Sequence, residues 1–238
     1  MNITTLGIDL AKSRFCVHGV DAAGAVVLRK SVGRAQLREL VAKLPPCTIG
    51  MEASTGVHEW ARQFQALGHT PRMMAAKFVL PFRLGGKNDG NDAEAICTAE
   101  ARPNMRYFPI KTPEQQAVLC LHRVRAGFGK ECTRTSNQIR GLLAEFGIVL
   151  ARRAIEVRRE VPALLDRLPA PAARCIRDLL DHLKSLDAQI AAYNCEIRQH
   201  ARQDARAQII QQRLGVGPIS ASAIVATVGD GAEFKNGR

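Results

Sequence analysis

Ile3-Thr4-Thr5-Leu6-Gly7-Ile8-Asp9-Leu10, then Arg14-Phe15-Cys16-Val17-His18-Gly19-Val20, then Ala25-Val26-Val27-Leu28-Arg29-Lys30-Ser31-Val32: the reading of these three runs decides the fold. Each run is rich in β-branched, aromatic and other apolar residues, and Asp21-Ala22-Ala23-Gly24 supplies a hairpin turn between the second and third. Three antiparallel strands over residues 3–9, 14–20 and 25–32 are therefore predicted. Asp9 lies inside the first of them. A carboxylate in an apolar strand is costly unless it is paired, hydrogen-bonded or metal-bound.

Working outward, Gln36, Leu37, Leu40, Val41 and Leu44 keep helical spacing until Pro45-Pro46,. Residues 47–52 read as a fourth strand ending in Glu52, residues 57–67 as a helix stopped by Gly68, and residues 69–75 as a fifth strand. A helix follows over 91–101, with Asp92 in its first turn, where the helix dipole favours an anion. The succession βββαβαβα is that of an α/β, ribonuclease H-like mixed sheet.

From Thr112 onward only helical patterns appear. Ala117, Leu119, Leu121 and Val124 form one stripe,. Between Cys175 and about Ala205, the residues Ile176, Leu179, Leu180, Leu183, Leu186, Ile190 and Tyr193 form another, compatible with a coiled coil of about four heptads. The same stripe suits one arm of an intrachain hairpin against residues 151–168. Near the end, Gly215-Val216-Gly217-Pro218 opens an apolar helix. This resembles half of a helix-hairpin-helix, whose glycines let backbone N–H groups approach phosphate, or an ordinary tight turn between helices. The expected division is residues 1–110, 111–205 and 206–238.

Asp9, Glu52, Asp89 and Asp92 form the candidate catalytic and metal-ligating set. Magnesium or manganese takes hard oxygen ligands, and two such ions about 4 Å apart activate a nucleophile and stabilise the leaving oxygen of a phosphodiester. In the expected sheet all four carboxylates come to one edge. Taken singly, Asp89 and Asp92 also suit a turn and a helix start, whereas Asp9 has few structural uses. Arg83 and Lys87 suit either phosphate contact or a solvated basic loop, and Arg134, Arg140, Gly215 and Gly217 are further candidates for nucleic-acid contact.

Composition agrees with a polyanionic partner. Lys plus Arg number 34 against 22 Asp plus Glu, a formal net charge of +12, and the excess is spread over the whole chain rather than gathered in a tail. Seven cysteines without a C-x-x-C pattern indicate neither a disulfide frame nor a zinc knuckle, which fits a reducing cytoplasm,. No apolar run reaches the roughly 18 residues of a membrane span. The six histidines show no metal-ligand spacing and no link to a nucleophile, and no serine sits in a G-x-S-x-G context, so a hydrolase triad is not expected.

Four motifs in order carry a family likeness: Gly7-Ile8-Asp9-Leu10-Ala11-Lys12; Met51-Glu52-Ala53-Ser54-Thr55-Gly56; the run from Lys87 through Asp89 and Asp92 to Ile96; and Gln138-Ile139-Arg140-Gly141-Leu142-Leu143. With the Gly-Val-Gly-Pro hairpin, the whole chain resembles the DEDD transposases of the insertion sequence 110 family, nearest its 1111 subgroup. The resemblance implies a RuvC-like domain carrying the four carboxylates, a coiled-coil middle and the start of a C-terminal transposase domain. It also implies DNA recombination directed by a structured RNA, by an oligomer joined through its helical region, in the bacterial cytoplasm at the nucleoid.

In that family a nucleophilic serine lies beyond the hairpin, and neither Ser220 nor Ser222 matches it. The expectation is a truncated chain without a covalent nucleophile. Two other readings stand beside it. One is an inactive, nucleic-acid-binding transposase remnant or regulator. The other is an actin-like ATPase, which shares the βββαβα core but needs a duplicated half.

Overall fold

The computed structural model describes residues 2–86, 88–151, 153–229 and 231. The chain divides into two compact units, residues 1–112 and residues 113–230.

The first unit is a mixed six-stranded sheet between helices. Strands β1 (Thr5–Leu10), β2 (Arg14–Val20) and β3 (Val26–Gly33) form the antiparallel meander read from the sequence. Asp21 makes its turn, accepting from the Ala23 and Ala25 N–H groups at 2.9 Å, while Gly24 takes the left-handed conformation (φ 80°),. Helix α1 (Arg34–Ala42) leads into β4 (Thr48–Glu52), which lies parallel to β1; α2 (Val57–Ala66) then leads into β5 (Thr70–Met74), parallel to β4. After a short helix α3 (Ala76–Val79), a 3₁₀ turn (Leu80–Phe82) and α4 (Asp89–Glu100), strand β6 (Tyr107–Phe108) closes the edge antiparallel to β5. The strand order is β3-β2-β1-β4-β5-β6.

Alternation along the strands builds two faces. Leu6, Ile8, Phe15, Val17, Ile49 and Met51 join Leu37 and Val41 of α1 and Trp60 and Phe64 of α2 in one core. Met74 joins Ala95, Ile96 and Ala99 of α4 in a second core. Helix α4 lies against β1, β2 and β4.

The second unit is helical, with no strand among its described residues: α5 (Pro113–Ala144), α6 (Ala154–Leu164), α7 (Ala170–Gln203), α8 (Ala205–Gln211) and α9 (Pro218–Val228). Ile176, Leu180 and Leu183 of α7 pack with Ile139 and Leu143 of α5 and Val157 and Val161 of α6. The apolar stripe that suggested a coiled coil is, over this stretch, covered within the chain, as in the intrachain hairpin. Ala201 of α7 meets Ala207, Ala221 and Val225 of the α8–α9 hairpin. The duplicated sheet of an actin-like ATPase is absent from the described part of this unit.

Candidate functional site

The β1–β4 register ends with Ile8 opposite Met51, and the next residues along the two parallel strands are Asp9 and Glu52. Ile8 and Met51 are fully buried in the core under α1 and α2. With a side-chain period of two, Asp9 and Glu52 therefore share the opposite face with Gly7 and Gly50. That face lies under α4. A Cβ on Gly7 would stand 2.3 Å from the Ala93 carbonyl oxygen and 2.6 Å from the Cys97 nitrogen, and one on Gly50 3.2 Å from Ile96 and Glu100. The glycines are what let the helix backbone lie against the strands.

The direction of α4 follows from the same contacts. Cys97 reaches the Thr5 carbonyl and Ala93 sits over Gly7, so moving along β1 towards Asp9 means moving back along α4 towards its first turn. Asp89 and Asp92 occupy that turn. The Asn88 side chain caps it by accepting from the Asn91 N–H at 2.8 Å, and the Asn91 amide donates to the Gly86 carbonyl at 2.9 Å, which fixes the approach of the loop,. At the far end Glu100, with its side chain only 6% exposed, takes Arg72 of β5 at 3.0 Å; the Tyr107 hydroxyl of β6 donates to the Glu100 carbonyl at 3.2 Å. Burial raises the Tyr107 pKa, so the phenol keeps its donor proton at neutral pH,.

The four carboxylates thus belong to one end of the sheet. Asp9, Glu52 and Asp92 are half-buried and Asp89 is exposed. They are not drawn into a tight cluster: among the described residues no three Asp, Glu, His or Cys side chains are grouped to hold a metal ion. Asp92 instead takes a cation from the chain, Arg83 Nη1 at 3.3 Å. The oxygen-only donor set, its placement and this cation on one of its members fit a hard divalent ion.

The other candidates are dispersed. Lys87 lies outside the described residues. Arg134 pairs with Glu131 on its own helix at 2.5 Å. Arg140 donates to the carbonyls of Ala151 at 3.2 Å and Arg153 at 2.7 Å, clamping the α5–α6 connection. Gly215 has φ 83°, in the left-handed region that favours glycine, and Gly217 precedes Pro218 as the extended cap of α9,.

Two histidine pairs escaped the sequence reading. His122 on α5 lies 3.1 Å from the Ser222 hydroxyl on α9, and Ser222 is only 2% exposed. His69 Nδ1 accepts from the Cys47 N–H at 3.2 Å, which leaves Nε2 to donate to the Val41 carbonyl at 3.1 Å,. The partners lie 100, 22 and 28 residues away in sequence, so no local spacing marks them.

Comparison with known proteins places the chain. The family model for DEDD transposases of the insertion sequence 110 type, described as "Transposase", matches residues 6–148. The chain is 46% identical over 246 residues to "Probable family 20 transposase" of Pseudomonas aeruginosa, an alignment covering 100% of this chain and 72% of that protein. It is 37% identical over 239 residues to "Transposase for insertion sequence element IS1328" of Yersinia enterocolitica, covering 100% of this chain and 71% of the relative. It is 35% identical over 241 residues to "Transposase for insertion sequence element IS1111A" of Coxiella burnetii, covering 100% and 66%. With a family match over more than half of its length and such relatives along all of it, the chain belongs to the DEDD transposases of the insertion sequence 110 family.

Proposed function

We propose that the first unit is a ribonuclease H-like domain that acts on DNA during recombination of an insertion sequence, with Asp9, Glu52, Asp89 and Asp92 holding Mg²⁺ or Mn²⁺. One observation carries the reading: the β1–β4 register sets Asp9 beside Glu52 on the α4 face, at the edge where the first turn of α4 arrives. The strand order β3-β2-β1-β4-β5 supports the fold assignment. A bound divalent ion would supply charge for a scissile phosphate and a more acidic water.

The chain's own residues do the rest. Asp9 and Glu52 present oxygen ligands from rigid strands, α4 brings two more, and the spread cationic charge of +12 holds the DNA backbone,. Arg83, Lys87, Arg134, Arg140 and the Gly215–Gly217 turn are the proposed nucleic-acid contacts. Family resemblance supports a structured guide RNA, self-association through the helical unit, and work in the bacterial cytoplasm at the nucleoid. Among the described residues no helix is long and apolar enough to cross a membrane. No covalent nucleophile is assigned within this chain: Ser222 is buried against His122.

A second reading, a nucleic-acid-binding regulator without cleavage, is favoured by the absence of a three-carboxylate cluster among the described residues. Titrating Mn²⁺ and following the free ion by electron paramagnetic resonance separates the two. Under the first reading Asp9→Asn and Glu52→Gln each weaken binding strongly and abolish metal-dependent nicking of DNA. Equal Mn²⁺ binding by wild type and both variants, with DNA affinity intact, selects the regulator.

A further inference from the structure

We propose that Arg83 is an exchangeable counter-charge: it holds Asp92 while no divalent cation is bound and turns to the DNA backbone once a cation takes the carboxylate. Metal and DNA binding would thereby be coupled. The inference rests on the carboxylate site proposed above.

The geometry of the pair argues for exchange. Arg83 touches Asp92 through one nitrogen, Nη1, at 3.3 Å, and both side chains remain about a quarter exposed, at 27% and 22%. Some other arginines of this chain are built differently. Arg158 meets Asp187 through two nitrogens at 2.5 and 2.8 Å, and Arg206 meets Asp204 through two at 3.2 and 2.8 Å. Two-pronged pairs of that kind are the strong, geometrically fixed ones. A single long contact leaves most of the Arg83 donors uncommitted to Asp92.

The backbone holding Arg83 is nonetheless fixed. Its N–H bonds the Leu80 carbonyl at 3.2 Å, and the preceding Phe82 packs against the α4 core with the Arg102 guanidinium 5.2 Å over its ring. Exchange therefore needs only side-chain rotation. A guanidinium on such a tether reaches either a carboxylate at the first turn of α4 or a phosphate brought to the same edge, and it suits both acceptors. A second guanidinium flanks the same turn. Arg29 of β3 lies 3.5 Å from the position of a Cβ on Gly90 and 3.8 Å from Glu94, so an incoming polyanion meets positive charge from two sides.

The coupling is reciprocal: if the metal frees Arg83 for DNA, DNA must tighten metal binding by the same factor. Partly exposed ion pairs are weak, so removing the competitor should tighten Mn²⁺ binding by about two- to fivefold. The test uses the full chain, Mn²⁺ alone and a labelled DNA duplex. For wild type, Mn²⁺ should strengthen DNA binding and DNA should strengthen Mn²⁺ binding equally. Arg83→Ala should bind Mn²⁺ more tightly without DNA and lose most of the mutual enhancement, and Arg83→Lys should recover part of it. Asp92→Asn should bind DNA more tightly than wild type when metal is absent. Unchanged urea unfolding of each variant, followed by Trp60 emission, shows that the fold is kept. If Arg83→Ala binds Mn²⁺ no more tightly than wild type, or keeps the full enhancement, the proposal is overturned while the carboxylate site stands. If Mn²⁺ binding by wild type does not depend on Asp9, the site itself is refuted, and the exchange with it.

Discussion

Replacing Gly7 by alanine should be the most damaging single-methyl change in the first unit. The added Cβ would meet the Ala93 carbonyl oxygen at 2.3 Å, where ordinary contact begins at 3.4 Å, so the shortfall is about 1.1 Å,. The obstacles include backbone atoms of α4, Ala93 O and Cys97 N, and no rotamer change moves them. Helix and strand must separate by about 1 Å, at the upper end of the roughly 1–3 kcal/mol that overpacking costs. For a unit of this size that is a fall in melting temperature of about 10–20 °C. Gly50→Ala is the control, because its Cβ meets side-chain atoms of Ile96, Glu100 and Met74 at 3.2 Å and needs only a few tenths of an ångström. It should cost roughly 1 kcal/mol or less. Urea unfolding followed by Trp60 emission reads this directly: Trp60 is the single tryptophan, is 6% exposed and belongs to the first unit. Since the first turn of α4 moves with the helix, Gly7→Ala should also weaken Mn²⁺ binding under conditions where the variant is folded. A Gly7→Ala chain as stable as wild type, or a Gly50→Ala chain equally destabilised, would refute the close-approach argument.

Other outcomes follow from the same geometry. Glu100→Ala removes a nearly buried partner of Arg72, itself 43% exposed; the cation left behind can rehydrate, so the loss should be about 1–3 kcal/mol by urea titration, below that for a fully buried pair,. His69→Ala strips the Cys47 N–H and the Val41 carbonyl of their partner inside the core and should cost about 3 kcal/mol in the same assay,. Burial, the largest influence, lowers the pKa of His18 below 6.5, Glu94 opposing and Arg29 assisting. The unfolded chain therefore takes this proton at a higher pH than the folded one, and first-unit stability should fall as pH drops below about 6.5, levelling once the folded-state value is passed,. His18→Gln should flatten that slope, and an unchanged profile would count against the assignment. DNA affinity should decline steeply with salt, and Arg134→Ala should reduce the log–log slope by about 1 if that exposed guanidinium contacts phosphate.

The sheet was legible because its strands carry their own signals. Residues 3–32 hold three runs rich in β-branched and apolar residues, Asp21 and Gly24 make the turn, Pro45-Pro46 and Gly68 stop the helices, and β1 to β5, α1, α2 and α4 formed where these marks stand. Strand β6 is two residues long and α3 four, too short for any period to show. Helix α7 begins at Ala170, five residues before the stripe that announced it, because Pro171 suits a first turn and needs no apolar neighbour,. A stripe records that a helix face is covered and not by what, so the choice between coiled coil and hairpin waited for α5 and α6. The common face of Asp9 and Glu52 needed the β1–β4 register, which no period within either strand supplies. The pairing of Arg83 with Asp92 was not legible either, since the two lie nine positions apart across loop and helix start and no spacing rule spans such a turn.

Helix α4 rests on the sheet at Gly7 and Gly50 and is clamped at its C-terminal end by Glu100, Arg72 and Tyr107, so mechanically it is a lever whose other end carries Asp89 and Asp92. Its twelve residues span about 18 Å,. A tilt of about 5° at the clamped root would displace the tip by roughly 1.5 Å over that length, a large shift for two carboxylates proposed to share an ion. Drift at the root therefore retunes the tip, whereas the same drift in a loop would be absorbed locally. Sites around Arg72 and Tyr107 are accordingly where a change remote from the first turn of α4 should still shift Asp89 and Asp92.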